Sequence, residues 1–170
     1  MNERRIIQTG IDVSRYQGKI DWARVKAGGT GFAIIKCTQG VNTVDPEFHR
    51  NMRNCAAVGL PVGAYVYSKA RTAFAAAEEA ERAAEECAPY HLDYPIAMDF
   101  EAAQFLAMPK KTRGAIIDAF CTRIEARGYK PMLYSSKYWL SALIPSETTR
   151  RWDVWLRSEE RRVGKECRSR

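Results

Sequence analysis

Short apolar runs alternate along the chain with longer stretches whose apolar positions recur every three or four residues. The runs GIDVS (10–14), FAIIKCT (32–38), PVGAYVYS (61–68), PIAMDFE (95–101), PMLYSS (131–136) and WDVWL (152–156) read as strands. Each is short, apolar or β-branched, and bounded by Gly, Pro or polar residues. The intervening stretches read as helices. Residues 21–29 open at Asp21, which can cap, and stop at glycines. Residues 45–59 place Asp45 as a cap, Pro46 at the first helical position and Gly59 past the end, with Phe48, Met52 and Cys55 on one face. Residues 71–88 are rich in Ala and Glu, both good helix formers. Residues 109–128 carry Ile116, Phe120 and Ile124 on one stripe. Residues 137–144 suit a short helix.

This strand–helix alternation predicts an α/β fold with a parallel sheet covered by helices. A doubly wound sheet and a β/α barrel fit the periodicity equally. An eightfold barrel takes about 200 residues or more, so a barrel built from these 170 residues is expected to lack its last strands. There is no internal repeat, linker or low-complexity segment.

The composition is that of a globular protein, 46% hydrophobic and 28% charged. No stretch approaches the roughly 20 apolar residues of a membrane span, so no membrane insertion is expected. The start, MNERRIIQTG, lacks the apolar segment of a secretory signal. Formal net charge is +7, and the last fourteen residues, RSEERRVGKECRSR (157–170), hold six Lys/Arg against three Asp/Glu. That stretch has no helical or strand period and resembles the translation of a short-read sequencing adapter. It is therefore expected to be non-native, with the genuine chain continuing past Leu156. The other reading is a basic tail for an anionic polymer. The milder positive charge of the remainder suits an anionic target by long-range attraction. The cysteines Cys37, Cys55, Cys87, Cys121 and Cys167 form no CxxC pair and none adjoins a histidine, so zinc spacing is absent and buried free thiols are expected. His49 and His91 read as surface residues. No GxGxxG or P-loop occurs, which leaves nucleotide and nucleic-acid binding without support.

In parallel α/β folds, sites lie at the carboxyl ends of strands. Those ends carry Asp12 and Ser14; Lys36, Thr38 and Gln39; Tyr65 and Tyr67; Asp99 and Glu101; Tyr134, Ser135 and Ser136. Asp99 and Glu101 are the sharpest feature. Alternate strand residues share a face, so both carboxyls project together, about 6.6 Å apart along the strand, while Phe100 points into the helix layer. Two close carboxyls resist double ionisation, so one is raised and can hold a proton while its neighbour stays charged. Glycoside hydrolysis requires that division of labour. The alternative is a pair of acids that cap the next helix or meet arginines. Asp12 is either a third acid of the site or a solvated loop residue. Lys36 is either a Schiff-base lysine, a partner of Asp12, or a side chain that buries its stem and exposes its head.

Taken in order, GIDVSRYQGKIDWARVK (10–26), FAIIKCTQG (32–40), DPEFHRNMRNCAAVGLPVGAYVYS (45–68), PIAMDFE (95–101), GYKPMLYSSKYW (128–139) and WDVWL (152–156) resemble glycoside hydrolase family 25, the Chalaropsis-type lysozymes that include many phage endolysins. The resemblance covers about residues 10–156. It implies a TIM-like β/α barrel of five βα units plus further strands, here incomplete at the C-terminus, with residues 1–9 as an N-terminal extension. It implies hydrolysis of the β-1,4 bond from N-acetylmuramic acid to N-acetylglucosamine, with bacterial peptidoglycan strands as partner. No cofactor or metal is implied, and a monomer is expected for the full-length protein. The family's D-x-E motif falls on Asp99 and Glu101. Glu101 then looks like the acid that protonates the leaving oxygen. Asp99 looks like the group that steadies the cationic centre, by direct attack or by orienting the substrate's 2-acetamido group. The strand-one acid falls on Asp12. Tyr65, Tyr67, Tyr134, Lys36 and Gln39 are expected to bind substrate. The chain departs from the family where Tyr65, Val66 and Tyr67 replace the frequent Y-H-F, and where Cys37, Thr38, Gln39 and Gly40 replace A-T-E-G. The family and the missing signal together imply synthesis in the cytoplasm and release to the wall by a separate route, or an extracellular enzyme if the N-terminus is incomplete. A glycan-binding remnant or inactive fragment is the competing expectation, and a lysine-dependent aldolase a remote one.

Overall fold

Residues 8–157 are described in the computed structural model, and their strands assemble almost in chain order. The strands are β1 (Gly10–Val13), β2 (Phe32–Gln39), β3 (Thr43–Val44), β4 (Val62–Tyr67), β5 (Ile96–Asp99), β6 (Pro131–Ser136) and β7 (Val154–Arg157). The sheet order is β1-β2-β4-β5-β6-β7, all parallel, with β3 paired antiparallel to β2. The helices are α1 (Trp22–Ala27), α2 (Phe48–Ala57), α3 (Ala73–Cys87), α4 (Lys110–Ala126) and α5 (Ser146–Arg151). Parallel neighbours need crossovers, and each of the five contains one of these helices.

The sheet curls. Asp12 on β1 and Trp155 on β7 wall the same pocket, although they belong to opposite ends of the strand order. In a flat sheet, strand spacing of about 4.8 Å would hold those two edges more than ~20 Å apart. The fold is thus a curled parallel half-barrel, which decides between the two architectures that periodicity left open.

Strand alternation sorts residues onto two faces. The convex face carries Val13, Ile35, Cys37, Ala64, Val66, Ile96, Met98, Phe100 and Leu133, all buried under the helices. α2 contributes Phe48, Met52 and Cys55, and α4 contributes Ile116, Phe120 and Ile124, so both expected stripes face the core. The concave face carries Ile34, Ala97 and Met132 around an apolar recess of about 220 Å³, and polar side chains above it. Gly63 allows close approach on this face: a Cβ there would sit 2.7 Å from the Pro95 carbonyl oxygen and 2.9 Å from Ile34 Cδ1.

Two local expectations need correction, at the second helix and the last strand, and the expected short helix takes a π-helical form. The second helix begins at Phe48, not at Asp45. Asp45 instead receives the backbone N–H groups of Glu47 and Arg15 and ties the turn before the helix to the β1 loop. The stretch 137–144 holds a π-helical turn at Trp139–Leu143, and α5, which was not expected, follows it. Trp152 does not begin the last strand. Its indole N–H donates to Asp118 of α4 at 2.7 Å, and pairing starts only at Val154. Cys37, Cys55, Cys87 and Cys121 are buried free thiols; Cys167 and residues 158–170 lie outside the described residues. His91 is exposed, whereas His49 is half-buried between Glu86 and the Tyr90 hydroxyl. No helix among the described residues is long and apolar enough to cross a membrane.

Candidate active site

The carboxyl ends of the strands place their polar side chains at one mouth of the half-barrel. Asp12 (β1), Tyr65 (β4), Asp99 (β5), Tyr134 (β6) and Trp155 (β7) wall a small pocket of about 50 Å³. The larger apolar recess on the same face shares Trp155, but its lining holds no carboxyl, amine or imidazole. The ionisable side chains of this face therefore gather at the smaller pocket.

Asp99 is its electrostatic centre. The residue is 8% exposed, and its Oδ1 has no hydrogen-bond partner among the described residues. Burial pushes its carboxyl up from 3.8 to about 7, with Glu101 and Asp12 adding to the rise and Lys36 and Arg157 opposing it. A carboxyl is thus poised to gain or lose a proton at neutral pH. Burial also pushes the hydroxyls of Tyr65 and Tyr134 up, Tyr134 to about 12, so both remain neutral hydrogen-bond donors.

Glu101 lies just beyond the end of β5 and does not wall the pocket. It is close enough to Asp99 to raise it, as the shared face predicted, but its Oε2 is ion-paired to Arg157 at 3.0 Å. Phe100 between them is fully buried, as expected, and stacks on Phe105 with ring centroids 3.8 Å apart. Its carbonyl accepts from Ser135 Oγ at 2.8 Å and its N–H donates to Tyr134 O at 3.0 Å. Those bonds to β6 fix the segment from which both acids project.

Lys36 and Gln39 form a second group. Their strand contains a bulge: Lys36 pairs with Tyr65 and Thr38 with Val66, leaving Cys37 as the extra residue. Without the bulge, positions 36 and 39 would point to opposite faces. With it, Lys36 Nζ donates to Gln39 Oε1 at 3.1 Å and sits 5.3 Å from the centre of the Tyr67 ring. The expected partnership of Lys36 with Asp12 does not occur among the described ion pairs. Tyr67 stands between the two groups and, like Tyr65, has its hydroxyl pushed up by burial.

Trp155 and Arg15 were missed by sequence reasoning, and Arg157, set aside with 157–170 as non-native, is the last residue of β7 and pairs with Glu101. For Trp155 a signal existed, since it belongs to a strand that should end at the same mouth. Among the described residues, no group of three or more His, Cys, Asp or Glu side chains could hold a metal ion.

The family described as Glycosyl hydrolases family 25 matches the chain over residues 11–166. Lysozyme M1 of Streptomyces globisporus is 45% identical over 60 residues, which are 35% of this chain and 20% of that protein. The protein YegX of Escherichia coli O157:H7 is 36% identical over 131 residues, 74% of this chain and 47% of its own. The chain thus spans less than half the length of these curated relatives. Among solved structures, a family 25 glycosyl hydrolase from Bacillus anthracis superposes with a TM-score of 0.71 at 26% identity, covering 93% of this chain and 73% of that one. The muramidase from Acremonium alcalophilum has a TM-score of 0.75 at 22% identity, covering 92% and 80%, a likeness of fold. The matched range runs from Ile11 of β1 through β7 and includes all the site residues described above. Over that range, this chain belongs to glycosyl hydrolases family 25.

Proposed function

We propose that the chain is the catalytic part of a peptidoglycan muramidase, cutting the β-1,4 bond from N-acetylmuramic acid to N-acetylglucosamine. The observation that carries this reading is Asp99: a buried carboxyl held near neutrality, beside a second carboxyl, at the mouth of a half-barrel. In glycoside hydrolysis one carboxyl protonates the leaving oxygen while the other steadies the cationic sugar. Glu101, nearer the rim, takes the first role. Asp99, beneath it in the pocket, takes the second, either by attack on the anomeric carbon or by orienting the 2-acetamido group. Substrate binding brings the glycosidic oxygen to Glu101 in place of Arg157. Asp12 binds and polarises the same sugar, and Tyr65, Tyr134 and Trp155 offer rings and hydroxyls to its faces. The carboxyl pair supplies both proton transfer and charge stabilisation, so the mechanism calls on no cofactor.

Two further features support a polymeric substrate. One relative, Lysozyme M1 of Streptomyces globisporus, is a lysozyme by name. The exposed side chains Tyr16, Phe74, Leu106 and Tyr138 lie on the connections that follow the carboxyl ends of β1, β4, β5 and β6. The Arg157–Glu101 ion pair favours one second reading, a wall-binding protein that does not cut. Assay of Glu101→Gln separates the two. On the first reading the parent releases reducing ends from purified peptidoglycan, and the variant keeps wall binding while losing at least about 100-fold in rate. Full hydrolysis by the variant would remove Glu101 from the donor role, and an inactive parent that binds would favour the second reading.

A further inference from the structure

Lys36 is a buried cation with an incomplete environment. The residue is 9% exposed, and its ammonium has one neutral acceptor, Gln39 Oε1, and one aromatic face, Tyr67. No carboxylate is ion-paired to it among the described residues. A buried ammonium ordinarily has a counter-charge or several acceptors, because desolvation is costly otherwise. The β-bulge at Cys37 makes the arrangement a built one, since it turns Lys36 and Gln39 to the same side. Together with Arg15, Thr43, Asp45 and Pro46 they line a small recess. Asp45 does not supply the missing charge there. Its two oxygens accept the backbone N–H groups of Arg15 and Glu47. The Arg15 guanidinium rests over the Tyr16 ring, 5.1 Å from its centre, and adds a second positive charge at the rim.

We propose that Lys36, Gln39 and Arg15 form a subsite for a carboxylate carried by the substrate strand next to the bond being cut, an assignment that rests on the glycan-hydrolase reading. The recess adjoins the catalytic pocket, since Lys36 pairs in register with Tyr65, which walls that pocket. In a muramoyl strand two carboxylates are within reach of such a position. One is the lactyl carboxylate, free when the peptide has been removed. The other belongs to the stem peptide. Either would complete the coordination of Lys36 with a charge-assisted hydrogen bond.

Ligand binding to the full chain tests this, with Glu101→Gln as background to prevent turnover. Three probes are titrated: a peptide-free muramoyl tetrasaccharide, the same glycan with its stem peptide, and a neutral N-acetylglucosamine tetrasaccharide. At least one anionic probe should bind about ten-fold or more tightly than the neutral one, and the preference should shrink as salt rises. Which anionic probe is preferred identifies the source of the carboxylate. Lys36→Met should remove the preference and Lys36→Arg should retain most of it. Equal affinity for all three probes, or a preference that survives Lys36→Met, overturns the subsite while leaving the hydrolase reading intact. Loss of binding to every probe overturns the glycan reading and the subsite with it. If Lys36→Met fails to fold, the preference of the background chain and its salt dependence decide the matter.

Discussion

Asp99→Asn is expected to stabilise the folded chain at alkaline pH while removing the carboxyl proposed to steady the cationic sugar. Asp99 is raised from 3.8 to about 7 because it is buried with Glu101 and Asp12 near it. Its folded value lies above its unfolded value, so the folded state holds the proton more tightly. Stability attributable to this group is therefore fully present below about pH 3.8 and is lost as pH rises towards 7. A rise of about three pKa units corresponds to a cost on the order of 4 kcal/mol once the group is ionised. Asparagine keeps the shape and removes the titration. The stability advantage of the variant over the parent should widen by about 3 kcal/mol between pH 5 and pH 8, which is roughly 6–12 °C in Tm for a chain of this size. Groups that titrate in both proteins cancel in the comparison. Thermal melts of the pair across that range give the answer, and a gap that stays constant with pH would show that Asp99 is not the poised carboxyl.

The second large effect is expected from Phe100→Ala. The ring is fully buried, stacked on Phe105 and edge-on to Trp139 at 5.8 Å between centroids. Truncating a ring in such surroundings costs about 3–5 kcal/mol. Phe100 also separates the two acids in sequence, with its backbone clamped to β6 through Ser135 and Tyr134. Loss of the ring frees the segment to shift, so hydrolysis should fall further than the folded fraction does. Phe100→Leu should recover most of both losses. Urea unfolding measures the first effect and reducing-end release per folded molecule the second. A change in stability below about 1 kcal/mol would mean that the ring does not anchor this strand end.

Much of this arrangement is legible in the sequence because it follows from short-range rules. β2, β4, β5 and β6 are short apolar runs with clear punctuation, and α4 shows its stripe directly. The placement of Asp12, Tyr65, Asp99 and Tyr134 at one mouth follows from strand alternation plus the rule that parallel sheets carry sites at their carboxyl ends. What was not legible depends on partners distant in sequence. The bulge at Cys37 is a property of how β2 pairs with β4, and nothing in FAIIKCTQ marks it. The curl of the sheet, which brings Trp155 to Asp12, arises from the whole set of strands. α5 was hidden because six polar residues show no periodicity, although Pro145, Glu147 and the arginines 150 and 151 carry its start and stop signals. The pairing of Glu101 with Arg157 was not legible either, because the sequence reading sets 157–170 aside as non-native.

The central claim, that this chain cuts after a muramoyl residue, is tested most directly by the new chain end. Purified peptidoglycan is digested with the chain, reduced with borohydride and hydrolysed, and the reduced sugar is identified. The account predicts muramitol. Glucosaminitol as the reduced sugar would assign the cut to the other glycosidic bond, and no reduced sugar above the undigested control would contradict hydrolysis by this chain.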